Sequence, residues 1–359
     1  MPAAKSARLQ MHSTEPPVGG PPPRLMRQHF ITPNELFFIR SHAPTPEISP
    51  AEYQLSISGL VQTPRTFFLA DLQNFPRHTV TATLQCAGNR RDELMAVKPV
   101  PSEVPWGADG ISTAVWSGVR LREILLAAGV QGGAEHVAFT GADEVMRLGK
   151  TFGYGSSIEL KKALGEEVLL ADTMNGEPLP PVHGFPLRVV VPGYIGARSV
   201  KWLTHIHVQA EPSDNYFQAK AYRLFAPHIT PETVQWDAGL PLSEQSLNAV
   251  ICEPQAGDVL PASEVRVSGW AVAGGQRRVA RVDVSADGGC TWQTAALCGD
   301  EAWTWQFWET AFALPRGEAE LVVRAWDTAA NTMPEHAASV WNFKGYMNNA
   351  WHRVRVRAE

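Results

Sequence analysis

Cys86 stands in the run TLQCAGNRRDE, followed by Gly88, Asn89 and two arginines, Arg90 and Arg91. An inert structural cysteine prefers apolar neighbours, because burial raises its pKa and keeps the thiol protonated. Adjacent guanidiniums act in the opposite sense and favour the thiolate, which is a nucleophile or a metal ligand. A second chemistry-bearing stretch is VHGFPLRVVVPGYIGARSVKWL, Val182 to Leu203. It sets a histidine, two arginines and a lysine around glycine turns at strand ends, where backbone N–H groups are also free. Such a set can hold an anion such as phosphate, but it also describes a loop of solvated charges, and on the residues alone the two stand even.

Other patterns carry little. Cys252, Cys290 and Cys298 form no CxxC pair, so a zinc framework is not expected. Cys290 and Cys298 read as reduced thiols, with a bridge across a hairpin as the rival. The chain has no GxGxxG, GxxxxGK[ST], GxSxG or HExxH, and its eleven histidines show no ligand spacing on a helix. His205 and His207 alternate along one strand and read as packing residues.

The elements that must position these groups differ between the two parts of the chain. From about Phe37 to Val208, EYQLSISGLV alternates like a half-buried strand, and VRLREILLAAGV has helical spacing ending at Gly129. HVAFTGAD and LRVVVPG read as short buried strands. This mixture predicts α+β. After about Leu247, alternating runs follow one another between Gly, Asp, Asn and Pro, from SEVRVSGWAVAG to AELVVRAWDTAAN. That spacing predicts a β-sandwich of immunoglobulin type. The division expected is 1–36 as a flexible Pro- and Gly-rich leader, 37–246 as the α+β domain and 247–359 as the sandwich.

The 359 residues carry 44% hydrophobic and 19% charged side chains and a net charge of −5. That balance gives no reason to expect nucleic acid or a membrane surface as partner, and any anionic substrate must meet a local basic pocket. With no apolar span and no signal peptide or twin arginine in the sequence given, the cytoplasm is the expected location.

Taken together, LQCAGNRR, WGADGISTAVWSGVRL, MNGEPLPPVHGFPLRVVVPG and GARSVKWL resemble the sulfite oxidase family of molybdenum enzymes, with FFIRSH near the start and NNAWHRVRV at the end. The resemblance runs in order from about Phe37 to Val356. It implies an α+β molybdopterin-binding domain followed by an all-β immunoglobulin-like dimerisation domain. It also implies a single pyranopterin dithiolene carrying molybdenum, with Cys86 as the metal's protein ligand. The cofactor contacts it implies are Phe38, Ile39, Arg40, Ser41, His42, Asp143, His183, Arg188, Ser199, Val200 and Lys201. The substrate pocket it implies is Arg40, Arg91, Trp106, Tyr222 and Arg353, with Lys344 as a rival to Arg353. Three arginines suit an oxyanion, being planar and permanently charged donors.

The activity implied is oxidation of sulfite to sulfate by a homodimer. No cytochrome b5-like segment precedes Phe37, so no haem is expected, and electrons would pass to an external acceptor, a cytochrome c-like protein or oxygen. Two alternatives stand beside it. One is nitrate reductase-type oxo transfer on the same cofactor, towards which WGADGISTAVW leans. The other is a non-catalytic molybdopterin-binding protein, against which the thiolate position and the arginines argue.

Overall fold

Alternation of apolar and polar side chains puts most of this chain into strands, and the computed structural model describes residues 5–359. Helices are few and short. The longest, Leu121–Ala128, buries Leu121, Ile124, Leu125 and Ala128 and ends at Gly129, whose φ of 70° suits a residue without a Cβ.

The N-terminal half holds two five-stranded sheets. In one, Arg77–Gln85 pairs antiparallel with Ile111–Arg120, which pairs with Leu169–Met174. In the other, Leu203–Gln209 lies between His136–Arg147 and Gln54–Gly59, antiparallel to the first and parallel to the second. Val119, Leu170 and Val189 from the first sheet share one core with Leu55, Phe139, Ile206 and the helix face of Leu121 and Leu125. The expected strands and helix are present in this half, with sheet dominating.

The C-terminal half is a two-sheet sandwich. A four-stranded sheet runs from Asn248–Glu253 through Glu264–Val272 and Gln306–Ala313 to Ala296–Cys298. A five-stranded sheet is centred on His352–Ala358, Gly317–Asp327 and Val279–Ser285. Ala249, Val267 and Trp308 of the first meet Val282, Leu321 and Val354 of the second in a common core.

One expectation is corrected. The segment before Phe37 is not a bare leader. Gln10–Thr14, Pro17–Gly20 and Ile39–Arg40 form a three-stranded sheet, and Leu9, Val18 and Met26 are buried. Pairing with Ile39 gives this Pro-rich stretch an apolar partner that its own composition lacks; residues 1–4 of the expected leader lie outside the described residues. The sandwich half also holds two large aromatic side chains, Trp305 and Trp308. Both are fully buried in the chain itself, Trp305 among Met26, Ile111 and Trp270. Its indole nitrogen donates to the Phe30 carbonyl at 3.0 Å, so the N-terminal segment covers it.

Candidate functional site

Cys86 follows directly on the strand Arg77–Gln85, at the point where the chain turns into the helix Arg91–Val97. Its N–H donates to the Gly110 carbonyl at 2.8 Å, and its carbonyl accepts from Asn89 N–H at 3.0 Å. The turn needs its glycine. A Cβ on Gly88 would stand 2.4 Å from an Arg91 guanidinium nitrogen, so the cation packs closely against the backbone beside Cys86.

The two arginines of the motif have different duties. Arg90 is fully buried and grips Glu93 with Nε at 2.7 Å and Asn248 Oδ1 with Nη1 at 2.7 Å, which makes it a strut between the two halves. Arg91 donates to the carbonyls of Gly345 at 2.9 Å and Val104 at 2.8 Å and lies 3.7 Å from the Glu103 carboxylate. Burial pushes the Cys86 thiol up, while Arg40 and Arg91 pull it down and only partly compensate. The guanidiniums alone therefore do not make a thiolate here. A metal cation would, because it adds positive charge at the sulfur itself.

Cys86 opens into a cavity. Its walls bring together Phe38, Arg40, Ser41, His42, Asp143, His183, Arg188, Ser199 and Lys201, all expected cofactor contacts, with Tyr222 from the expected substrate set. Arg188 donates to the carbonyls of His183 at 2.9 Å and Ser199 at 3.0 Å, which draws the His183–Gly184 turn against Ser199. Lys201 Nζ donates to Ser41 Oγ and to the Val182 carbonyl, both at 2.9 Å, and so joins the FFIRSH segment to the same clamp. The Tyr222 hydroxyl lies 3.1 Å from His42 Nε2.

Several expected residues take other places. Ile39 and Val200 are buried side chains outside the lining. Arg91 and Trp106 lie behind the lining, although a Cβ on Gly110 would be 3.3 Å from both Cys86 Cβ and the Trp106 ring. Arg353 is corrected outright. It sits on the sandwich strand His352–Ala358, where its guanidinium holds Glu320 Oε2 at 2.8 Å and the Gly288 carbonyl at 3.2 Å. A cation already paired on that strand is not part of the cavity. Lys344, the rival, is the one beside the site, paired with Glu103 and 5.8 Å from the Tyr346 ring centroid.

Sequence reasoning missed Tyr154, Ala197 and Trp202 in the lining, and Glu103 and Tyr346 beside it. Tyr154 comes from the strand Lys150–Glu159 and donates to the Ala197 carbonyl at 2.9 Å. Nothing in its local run marks it, since its place comes from strand pairing.

The residues present fit a molybdopterin. Arg40, Arg188 and Lys201 crowd into one cavity with Asp143 as the acidic residue of its lining. Burial lowers the Arg188 pKa to about 9, and burial together with Arg188 pushes Lys201 well below its usual range. An anionic group would relieve both. His183 is held neutral by burial and by its cationic neighbours, and its buried Nε2 has no partner among the described residues. That is a spare polar atom for a heterocycle, and Cys86 is the soft donor a molybdenum ion prefers.

Comparisons with known proteins point to the same cofactor. Residues 42–217 match the family described as oxidoreductase molybdopterin binding domain, and residues 241–359 match the Mo-co oxidoreductase dimerisation domain. Mitochondrial sulfite oxidase from Homo sapiens is 44% identical over 360 residues, covering 97% of this chain and 65% of that protein. Sulfite oxidase from Arabidopsis thaliana is 38% identical over 373 residues, covering 97% of this chain and 94% of that one. The crystal structure of the sulfane dehydrogenase SoxCD from Paracoccus pantotrophus superposes with a TM-score of 0.80 at 26% identity, covering 99% of this chain and 90% of that one. The chain thus spans about two thirds of the human relative's length and nearly all of the plant one, and it belongs to the sulfite oxidase family of molybdopterin-binding oxidoreductases.

Proposed function

We propose that this chain oxidises sulfite to sulfate, with water supplying the added oxygen and with two protons and two electrons released. The observation that carries the reading is that the Cys86 sulfur, Arg40 and Tyr222 line one cavity with the Arg188–Lys201 clamp. Cys86 would hold a molybdenum ion, and Arg188, Lys201, His183 and Asp143 would hold a single pyranopterin dithiolene. When bound, that group supplies the two-electron redox change and the oxygen transfer.

The chain's own residues supply position and charge. Arg40 presents fixed positive charge to an oxyanion and takes up no proton from it, and Arg91 adds positive charge from behind the wall. Burial raises the Tyr222 pKa to about 12, so its hydroxyl stays neutral at working pH and can hydrogen-bond an oxyanion without repelling it. His42, held neutral by burial and by Arg40, keeps that hydroxyl in place. Electrons leave to an external acceptor, a cytochrome c-like protein or oxygen. The matched dimerisation domain supports a homodimer through the sandwich, which we assign to the immunoglobulin type. Among the described residues no helix is long and apolar enough to cross a membrane.

The test is a steady-state assay of purified protein with sulfite against cytochrome c, ferricyanide and oxygen, alongside metal analysis and an optical spectrum. About one molybdenum per chain and sulfite-dependent reduction of an acceptor are expected. Nitrate reduction by a reduced dye without sulfite turnover would replace this reading with the oxo transfer of the nitrate reductases.

A further inference from the structure

Beside Arg91 sits an acid. Glu103 precedes Val104 in the loop that leads to Trp106, and its carboxylate pairs with Lys344 while lying 3.7 Å from Arg91. It is close enough to raise the pKa values of both Cys86 and Tyr222, against the lowering by Arg40 and Arg91. Arg91 is 3% exposed, whereas Glu103 and Lys344 are 17% and 18% exposed, so the acid pair is reachable from solvent. Glu103 is the hydrogen-bond partner of Lys344 among the described residues, which leaves two ammonium N–H groups free. The ring of Tyr346 carries Arg91 at 5.2 Å and Lys344 at 5.8 Å and stacks at 5.4 Å on Tyr222 of the cavity wall.

A pocket built to take an anion gains nothing in affinity from a carboxylate bound to its cations. We propose that Glu103 is a specificity-determining residue that acts as an internal competitor, masking Lys344 and part of Arg91 so that oxyanions are held weakly and released readily. This rests on the oxyanion reading of the site. A bound sulfur oxyanion has to draw Lys344 away from Glu103 to use it. Sulfate, with one oxygen more than sulfite and the same charge when fully ionised, would otherwise stay on the cations and block the next turnover.

The experiment is a calorimetric titration of the purified holoenzyme with sulfate at low ionic strength, with molybdenum content and melting temperature recorded for each variant. Glu103→Gln keeps the shape and removes the charge. It should bind sulfate roughly three- to thirtyfold more tightly, the range for freeing a charge-assisted contact in a partly exposed site. Adding Lys344→Met to Glu103→Gln should remove most of that gain. Glu103→Asp, which retracts the charge by one methylene, should give a smaller tightening and serves where the Gln variant does not fold.

Sulfate affinity unchanged or weaker in a folded, molybdenum-loaded Glu103→Gln or Glu103→Asp protein overturns the proposal. So does a double variant that keeps the whole gain. The sulfite reading is tested separately. Wild-type protein with no sulfite turnover sinks that reading, while the sulfate titration still reports on Glu103.

Discussion

Arg91 Nε donates to the Gly345 carbonyl at 2.9 Å, joining residues 254 positions apart. A Cβ on Gly345 would stand 2.7 Å from Arg91 Cγ, so the loop before the last sandwich strand lies directly on the arginine beside Cys86. The same loop gives Met347 N–H to the Ala87 carbonyl at 2.7 Å, and Asn348 Nδ2 to the Arg90 carbonyl at 2.9 Å. The C-terminal half therefore finishes the site that the N-terminal half begins. Removing it should disorder the Cys86 turn as well as any dimer contact.

If Arg40 is an oxyanion contact, Arg40→Met should lower kcat/KM for sulfite by about 10- to 150-fold, from a charge-assisted hydrogen bond worth roughly 1.5–3 kcal/mol. Arg353→Met should change it less than threefold, because its partners are Glu320 and Gly288 in the sandwich. Sulfite kinetics on both variants, with molybdenum content matched, decide between cavity and sandwich. Equal losses at the two positions would contradict the cavity assigned here.

Cys86→Ser should keep the fold and lose turnover, since a hydroxyl is a harder and weaker donor to molybdenum than a thiolate. Metal analysis and circular dichroism check this. Cys252, Cys290 and Cys298 are free and lie elsewhere, so serine at Cys290 or Cys298, both exposed, should leave kinetics unchanged.

Tyr222→Phe removes a neutral hydroxyl held by His42. A neutral hydrogen bond is worth about 0.5–1.5 kcal/mol, so the loss in kcat/KM should be roughly two- to tenfold, smaller than at Arg40. A larger loss than at Arg40 would give the hydroxyl a greater part in the reaction than positioning.

How much of this was legible in the sequence depends on range. Period-2 alternation is local, and it marked Gln54–Gly59 and the sandwich strands; Gly129 marked the helix end. The Cys86 motif and the His183–Lys201 stretch were also readable, because each packs its chemistry into a short run. Arg353 and Lys344 were not separable, being nine positions apart in one motif-rich tail. The difference lies in the chain path: residues 341–350 cross back to the first half, where Trp341 Nε1 reaches the Lys98 carbonyl at 3.0 Å, and the strand after them returns to the sandwich. Val18 was hidden for a similar reason, since its burial depends on pairing with the FFIRSH segment.

His352 gives a pH dependence that belongs to the same junction. Its Nδ1 accepts from Ile251 N–H at 3.2 Å, which requires that nitrogen to be unprotonated. Burial, then the nearby Arg90, lowers its pKa to about 4, with Glu93 opposing. In the unfolded chain the imidazole titrates near 6.5, so between about 4 and 6.5 the unfolded state binds more protons than the folded one. Stability from this group is therefore complete above about 6.5 and is lost as pH falls through 4, by up to about 3 kcal/mol. His352→Gln cannot titrate. Whatever it costs through the altered contact with Ile251 is the same at every pH. Urea unfolding of wild type and variant at pH 7.5 and 4.5 should show the wild type losing roughly 1–3 kcal/mol more than the variant across that interval. Parallel losses in the two proteins would mean that the imidazole is already protonated in the folded state, with Ile251 N–H left without its acceptor.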